Sequence, residues 1–219
     1  MVVARPRRCA ALNTGVELVE DVVAVGGHEL TIVHPRQPDE LIDEEAFERE
    51  EFLPYWAELW PSGVALAREL ARRRLGGIRV LELGCGLAVP SIAAALAGAR
   101  VLATDWSPDG VRFARLNAER NGARLETAVS SWAAPEAELE GAPWPLVVAA
   151  DVLYERRDVE LLLDLLPRLV DERGKVLLAD PGRPPAQRFF EAAAESWSIE
   201  SRTVSDSPRV TLYTLKLPG

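Results

Sequence analysis

Val80-Leu-Glu-Leu-Gly-Cys-Gly-Leu-Ala-Val-Pro90 runs from an apolar segment through two glycines to a proline. The segment from Ile78 to Leu83 reads as a strand, and Pro90 suits the first turn of a helix that Gly98 then ends. Gly84 and Gly86 let the backbone turn tightly and approach a ligand with no Cβ in the way. A second apolar run, Arg100-Val-Leu-Ala-Thr104, leads into Asp105, 21 residues after Gly84. In α/β nucleotide-binding folds an acid about 20 residues beyond the glycine turn accepts hydrogen bonds from ribose hydroxyls. Strand, glycine turn, helix, strand and acid in that order point to a nucleoside ligand. A tight strand–helix turn with no ligand is the bland alternative. Ala88 and Val89 break the Gly-x-Gly-x-x-Gly pattern that cradles a pyrophosphate, so one nucleoside fits better than a dinucleotide.

The alternation continues outward on both sides. Ser62 is a candidate cap for a helix over 63–74, with Val64, Ala67, Leu70 and Ala71 on one face. Ser107 and Pro108 start a helix that Gly122 ends, and a strand follows near 124–129. Residues 132–145 read as a loop and Leu146-Val-Val-Ala-Ala150 as a strand buried on both faces. A leucine-rich helix covers about 156–171, with Pro167 expected to kink its last turns, and Lys175-Val-Leu-Leu-Ala179 is the next strand. A helix near 185–196 and two strands, about 197–204 and 209–217, finish the chain. So short a turn joins the last two strands that they must be antiparallel. Upstream, β-branched runs on either side of Gly26-Gly27 read as a hairpin. The expectation is an α/β fold: a mostly parallel sheet with helices on both faces and an antiparallel C-terminal hairpin. Residues 1–53, with the N-terminal β-hairpin and an acidic segment, form an extension ahead of a domain over 54–219.

The chain has 219 residues, 48% hydrophobic and 27% charged, which excludes a wholly disordered or fibrous protein. Twenty-five basic against 34 acidic residues leave a net charge of −9, which argues against a general nucleic-acid binder. No apolar run approaches the roughly 20 residues that span a bilayer. After the basic start, Cys9 to Leu12 is too short for a signal-peptide core. Two cysteines, Cys9 and Cys85, without metal-type spacing imply a reduced, cytoplasmic protein lacking structural disulfides and zinc. The acidic run between Asp39 and Glu51 reads as a solvated face, or as a surface that steers a basic protein.

Three segments together, Val80-Leu-Glu-Leu-Gly-Cys-Gly86, Ala103-Thr-Asp105 and Asp151-Val-Leu-Tyr154, resemble class I S-adenosylmethionine-dependent methyltransferases. Pro54-Tyr-Trp-Ala-Glu-Leu-Trp-Pro-Ser-Gly63, Asp151-x-x-Tyr154 and Asp180-Pro-Gly-Arg183 are similar to the seven-β-strand lysine methyltransferase group. Within that group they resemble the bacterial relatives of the electron-transfer-flavoprotein β-subunit lysine methyltransferase. The resemblance covers about 54–185 and implies a Rossmann-like fold with a seven-stranded sheet. It also implies S-adenosylmethionine as cofactor and a methyl acceptor that is a protein or a small molecule.

By that resemblance Glu82, Gly84, Cys85 and Gly86 line the methionine end of the cofactor, and Asp105 binds the ribose hydroxyls. Trp106 and Trp132 lie along the adenine, with Ser131 standing where the family often has Asp. Trp60 closes the pocket from the N-terminal side. Asp151 and Tyr154 face the transferring methyl, Asp151 positioning the acceptor amine and Tyr154 shaping its channel. A protein lysine is the leading acceptor, and a small-molecule N-, O- or C-acceptor is the alternative. A cofactor-binding protein without turnover and a nicotinamide-dependent oxidoreductase are further readings. Ala88 and Ser131 favour the former, and the broken glycine pattern disfavours the latter. Bland roles are also open: Trp56 and Trp60 as core aromatics, Asp151 as a helix cap, and Asp180-Pro-Gly-Arg183 as a turn.

Overall fold

The computed structural model describes residues 16–41 and 54–218. The basic start over 1–15 and the acidic stretch over 42–53 lie outside the described residues. In chain order the chain forms β1 (Leu18–Val25), β2 (His28–Pro35), α1 (Pro61–Ala71), β3 (Arg79–Leu83), α2 (Val89–Leu96) and β4 (Arg100–Asp105). Next come α3 (Pro108–Arg120), β5 (Glu126–Val129), α4 (Glu136–Glu140), β6 (Trp144–Ala150) and α5 (Arg156–Leu169). β7 (Val170–Asp180), α6 (Pro184–Ala193), β8 (Ser198–Asp206) and β9 (Arg209–Lys216) follow.

Seven strands pair in the order β5-β4-β3-β6-β7-β9-β8. β3 to β7 run parallel, and β9 inserts antiparallel between β7 and β8. Alternation along the strands gives the sheet two apolar faces. Leu81, Leu83, Val147, Ala149, Val176 and Leu178 pack with the leucines of α5 and with Phe189 of α6. Val80, Leu146, Val148, Leu177 and Ala179 pack with Leu66 and Leu70 of α1 and Ala94 of α2. The chain steps outward from β3 through β4 to β5, then returns to lay β6 on the other side of β3. That reversal opens a crevice beyond the carboxyl ends of the strands.

β1 and β2 form a separate two-stranded sheet, so the hairpin does not extend the main one. Val23, Val25, Leu30, Ile32 and Val33 bury against Ala67, Ile92 and Phe113 of the first three helices. The outer edge of β2 is closed by two asparagines one helical turn apart, Asn117 in α3 and Asn121 at its C-cap. Asn121 accepts from the Thr31 N–H and donates to the Thr31 carbonyl, each at 2.8 Å. Asn117 accepts from the Val33 N–H at 2.8 Å and donates to the Val33 carbonyl at 3.1 Å. Side-chain amides thus take the place of a third strand and cover an edge that would otherwise be open to pairing.

Several local expectations change. Ser62 does not cap α1: it lies inside the helix with its hydroxyl buried and without a partner among the described residues, and Trp60 is the cap residue. The segment expected to be a loop over 132–145 contains α4 and the first residues of β6. Trp144 explains this, since it is buried and its indole N–H donates to the Glu138 carbonyl at 2.8 Å. β7 starts at Val170, immediately after α5, where it pairs with Trp144. Ser107 caps α3 as expected, accepting from the Gly110 N–H at 3.2 Å.

Candidate active site

Three backbone positions in five residues shape the turn after β3. Gly84, Gly86 and Ala88 have φ of 63°, 47° and 60°, the left-handed region. At Gly86 a Cβ would lie 2.9 Å from the Trp56 carbonyl oxygen, so glycine is required there by close approach as well as by conformation. Ala88 carries strain of roughly 1–2 kcal/mol, which glycine would avoid. The turn is tied to the neighbouring strand: the Cys85 N–H donates to the Thr104 carbonyl at 2.9 Å. Cys85 itself is buried with Ala88, Ala103 and Ala114, a small apolar filler.

Asp105 ends β4 beneath this turn. Its carboxylate accepts from the Gly86 N–H at 2.8 Å and the Ser107 N–H at 2.9 Å. It is 4% exposed, and burial raises it from the usual 3.8 to about 6 against the pull of these N–H donors. Glu82, on β3, accepts from both the N–H and the hydroxyl of Ser91 at the start of α2. Burial is also the main cause that lifts Glu82 to about 8; the Ser91 bonds oppose it and the Asp105 charge adds to it. Two carboxyl groups held partly protonated in one place are ready to gain a cation or a donor.

Asp151 follows β6 with φ 55°, strained for a side chain that is not glycine, and its N–H donates to the Ala179 carbonyl at 3.0 Å. Its carboxylate pairs with Arg183, which the β7–α6 turn delivers. Asp151 is therefore not the cap of α5. Glu155 is, through a capping box with Asp158. Asp180 accepts from the N–H groups of Gly182 at 2.6 Å and Arg183 at 3.0 Å. The Arg183 guanidinium carbon lies 4.5 Å from the Tyr154 ring centre and 5.4 Å from that of Trp60. Tyr55 stacks on Tyr154 at 4.3 Å, and Trp60 meets Tyr154 at 5.7 Å with its indole N–H on the Tyr55 carbonyl at 2.8 Å. Burial and the Asp151 charge push the Tyr154 phenol well above its ordinary range, so it stays protonated.

A cavity of about 160 Å³ opens at the strand ends. It is lined by Trp60, Glu82, Gly84, Cys85, Gly86, Asp105, Trp106, Ser131, Trp132, Asp151 and Tyr154, the residues singled out from the sequence. Tyr55, Leu59, Ser130 and Leu161, unassigned by the sequence, line it as well, and so does Trp56. Trp56 combines both of its possible roles, touching the cavity while packing on Phe113 at 5.1 Å. Ser131 is exposed on the rim, and Trp106 is 40% exposed beside it. Sequence reasoning assigned no role to Ser91, Tyr55 or Arg183. The one signal available for Arg183 was its place in Asp180-Pro-Gly-Arg183.

Comparison with known proteins is consistent with this geometry. The model of a family described as lysine methyltransferase matches residues 51–196. The electron transfer flavoprotein beta subunit lysine methyltransferase of Xenopus laevis is 41% identical over 172 residues, covering 74% of this chain and 68% of that protein. The human protein of the same name is 38% identical over 140 residues, covering 60% of this chain and 50% of that protein. The chain thus spans between half and about two thirds of these two relatives. Among solved structures, a T. thermophilus 16S rRNA N2 G1207 methyltransferase in complex with AdoMet and guanosine superposes with a TM-score of 0.65. It is 16% identical, with 91% of this chain and 50% of that chain covered, which shows the shared fold. The chain belongs to the lysine methyltransferase family and is an S-adenosylmethionine-dependent methyltransferase of Rossmann-like fold.

Proposed function

We propose that this enzyme methylates a lysine side chain of a protein acceptor, with the electron transfer flavoprotein β subunit the first candidate because the relatives carry that name. The observation that carries the reading is the Asp151, Tyr154 and Trp60 wall where the cavity meets the end of β6. S-Adenosylmethionine supplies a methyl group on a positively charged sulfur, poised for in-line displacement.

The residues that line the cavity suit that molecule. A Cβ on Gly84 would lie 3.0 Å from Val152 and 3.6 Å from the Trp132 ring, so glycine lets the turn pass this close to both. Asp105, fixed by backbone donors from Gly86, Ser107 and Trp106, still has lone-pair capacity on its carboxylate to accept from a vicinal diol. Glu82, Gly84, Cys85 and Gly86 suit the amino-acid end, and Trp106, Ser131 and Trp132 the adenine. Asp151 holds the acceptor nitrogen in line, and alignment supplies much of the rate in a displacement needing no covalent help. A lysine must lose its proton from a pKa of about 10.4 before it attacks. Water exclusion by the rings of Tyr154 and Trp60 disfavours its charged form, the Asp151 carboxylate pulls the other way by favouring the ammonium as it docks, and the π-systems face the migrating positive charge.

The same reading takes residues 54–219 as the methyltransferase domain and 1–53 as an extension, supported by the separate sheet of the hairpin. It also places the enzyme in the cytoplasm, supported by the low cysteine content and the free, buried Cys85. Among the described residues no helix is long and apolar enough to cross a membrane.

The test is incubation with methyl-labelled cofactor and cell lysate, and separately with purified electron transfer flavoprotein, followed by mass spectrometry. Label on a lysine of protein is expected. Label confined to the small-molecule fraction overturns the acceptor assignment.

A further inference from the structure

Arg183 lies in surroundings that would suit a different cation. Its side chain is 23% exposed on a short turn, while the Asp151 and Asp180 side chains behind it are 1% and 0% exposed. One guanidinium nitrogen serves both acids, bonded to Asp151 and 3.8 Å from Asp180 Oδ2. That leaves Asp151 Oδ2 and Asp180 Oδ2 buried with no hydrogen-bond partner among the described residues. Buried carboxylate oxygens without a donor are costly, and their persistence in a site marks a missing partner. The rings of Tyr154 and Trp60 complete the enclosure. Two carboxylates and two aromatic faces are the recognition elements of an alkylammonium group, whose three N–H donors point to several acceptors at once.

We propose that Asp151, Asp180, Tyr154 and Trp60 form a seat for a primary alkylammonium ion, that Arg183 is its resident occupant, and that the incoming acceptor displaces Arg183. The proposal rests on the reading of the acceptor as an amine and adds the second carboxylate and the exchange of cations. Exchange of one cation for another keeps the local charge constant, so the buried acids are never left bare. The exposed Pro181 and Gly182, with Gly182 at φ 95°, give Arg183 a short tether from which its long side chain swings into solvent.

The test titrates n-butylammonium, the head of a lysine side chain, against the native protein, Arg183→Ala and Arg183→Met. Thermal unfolding and calorimetry are the readouts, with sodium chloride at equal ionic strength and n-butanol as controls. Both variants should melt lower than the native protein. Butylammonium alone should raise them saturably, by roughly 3–6 °C at ten times its midpoint concentration, and raise the native protein less, because there it must first displace Arg183. Adding Asp180→Asn to Arg183→Ala should abolish the rise. If a variant does not fold, butylammonium should restore folding. No rise or rescue in either variant overturns the seat, as does equal binding by the native protein. Failure of lysine methylation with butylammonium binding intact would remove the acceptor assignment alone.

Discussion

Replacing Gly86 with alanine tests how the turn after β3 is held. Its φ of 47° costs an alanine roughly 1–2 kcal/mol. The added Cβ would lie 2.9 Å from the Trp56 carbonyl oxygen and 3.3 Å from the Trp56 Cα. These are backbone atoms and cannot rotate away, so the turn must shift. A shift withdraws the Gly86 N–H from Asp105, now at 2.8 Å, and a hydrogen bond to a charged group contributes about 1.5–3 kcal/mol. The sum is about 2.5–5 kcal/mol. Gly122→Ala is the matched control: φ is 66° and nothing lies within 4 Å of its added Cβ. It should cost the conformational share alone, about 1–2 kcal/mol. Urea unfolding of the two variants side by side measures the difference, and calorimetry measures cofactor affinity. Gly86→Ala should weaken S-adenosylmethionine at least about tenfold as Asp105 is released, since tenfold is 1.4 kcal/mol, while Gly122→Ala binds normally. Equal stability losses with normal binding in both variants would show that neither the Trp56 contact nor the Asp105 bond holds the turn.

Four further outcomes follow from the same geometry. Asp105→Asn should weaken the cofactor by roughly 10–100-fold through lost charge-assisted bonds to the diol, and near-native affinity in calorimetry would remove the ribose assignment. Because burial raises Asp105 from 3.8 to about 6 and Glu82 from 4.5 to about 8, the folded protein holds protons that the unfolded chain has released. Unliganded stability should therefore fall as pH rises from about 4 to about 8. Binding a cation there should release protons near pH 7 and tighten with pH, and a binding heat independent of the buffer's ionisation heat would contradict this. Asp151→Asn should keep cofactor affinity within a few-fold and lose methyl transfer, and unchanged turnover would exclude Asp151 from the reaction. Asn117→Ala strips partners from the Val33 N–H and carbonyl and from the Leu87 carbonyl, 3.3 Å away, and should destabilise by about 2–4 kcal/mol. A loss below 1 kcal/mol in urea unfolding would show that water replaces these bonds.

Local chemistry is legible wherever one stretch of chain carries it. The strand, the glycines at 84 and 86 and the acid at 105 announced the site, since a tight turn and a strand-end carboxylate are made by neighbouring residues. The short apolar runs alternating with helical segments announced the sheet, and Pro108 after Ser107 announced α3. Features made by residues far apart were not legible. Ser62 looks like a cap until the helix starts at Pro61 and places it two residues past the cap position. The stretch over 132–145 looks like a loop until Trp144 buries beside Glu138. Nothing in the string of letters joins Asn117 to Val33 or Arg183 to Asp151, which stand 84 and 32 positions apart. Such pairs meet because the sheet reverses direction at β3 and because α3 lies against the hairpin. The amino-acid order therefore specifies strands, turn and chemical groups through short-range sterics and periodicity. Which cation faces which carboxylate, and which oxygens stay unsatisfied, is set by the packing of the whole chain.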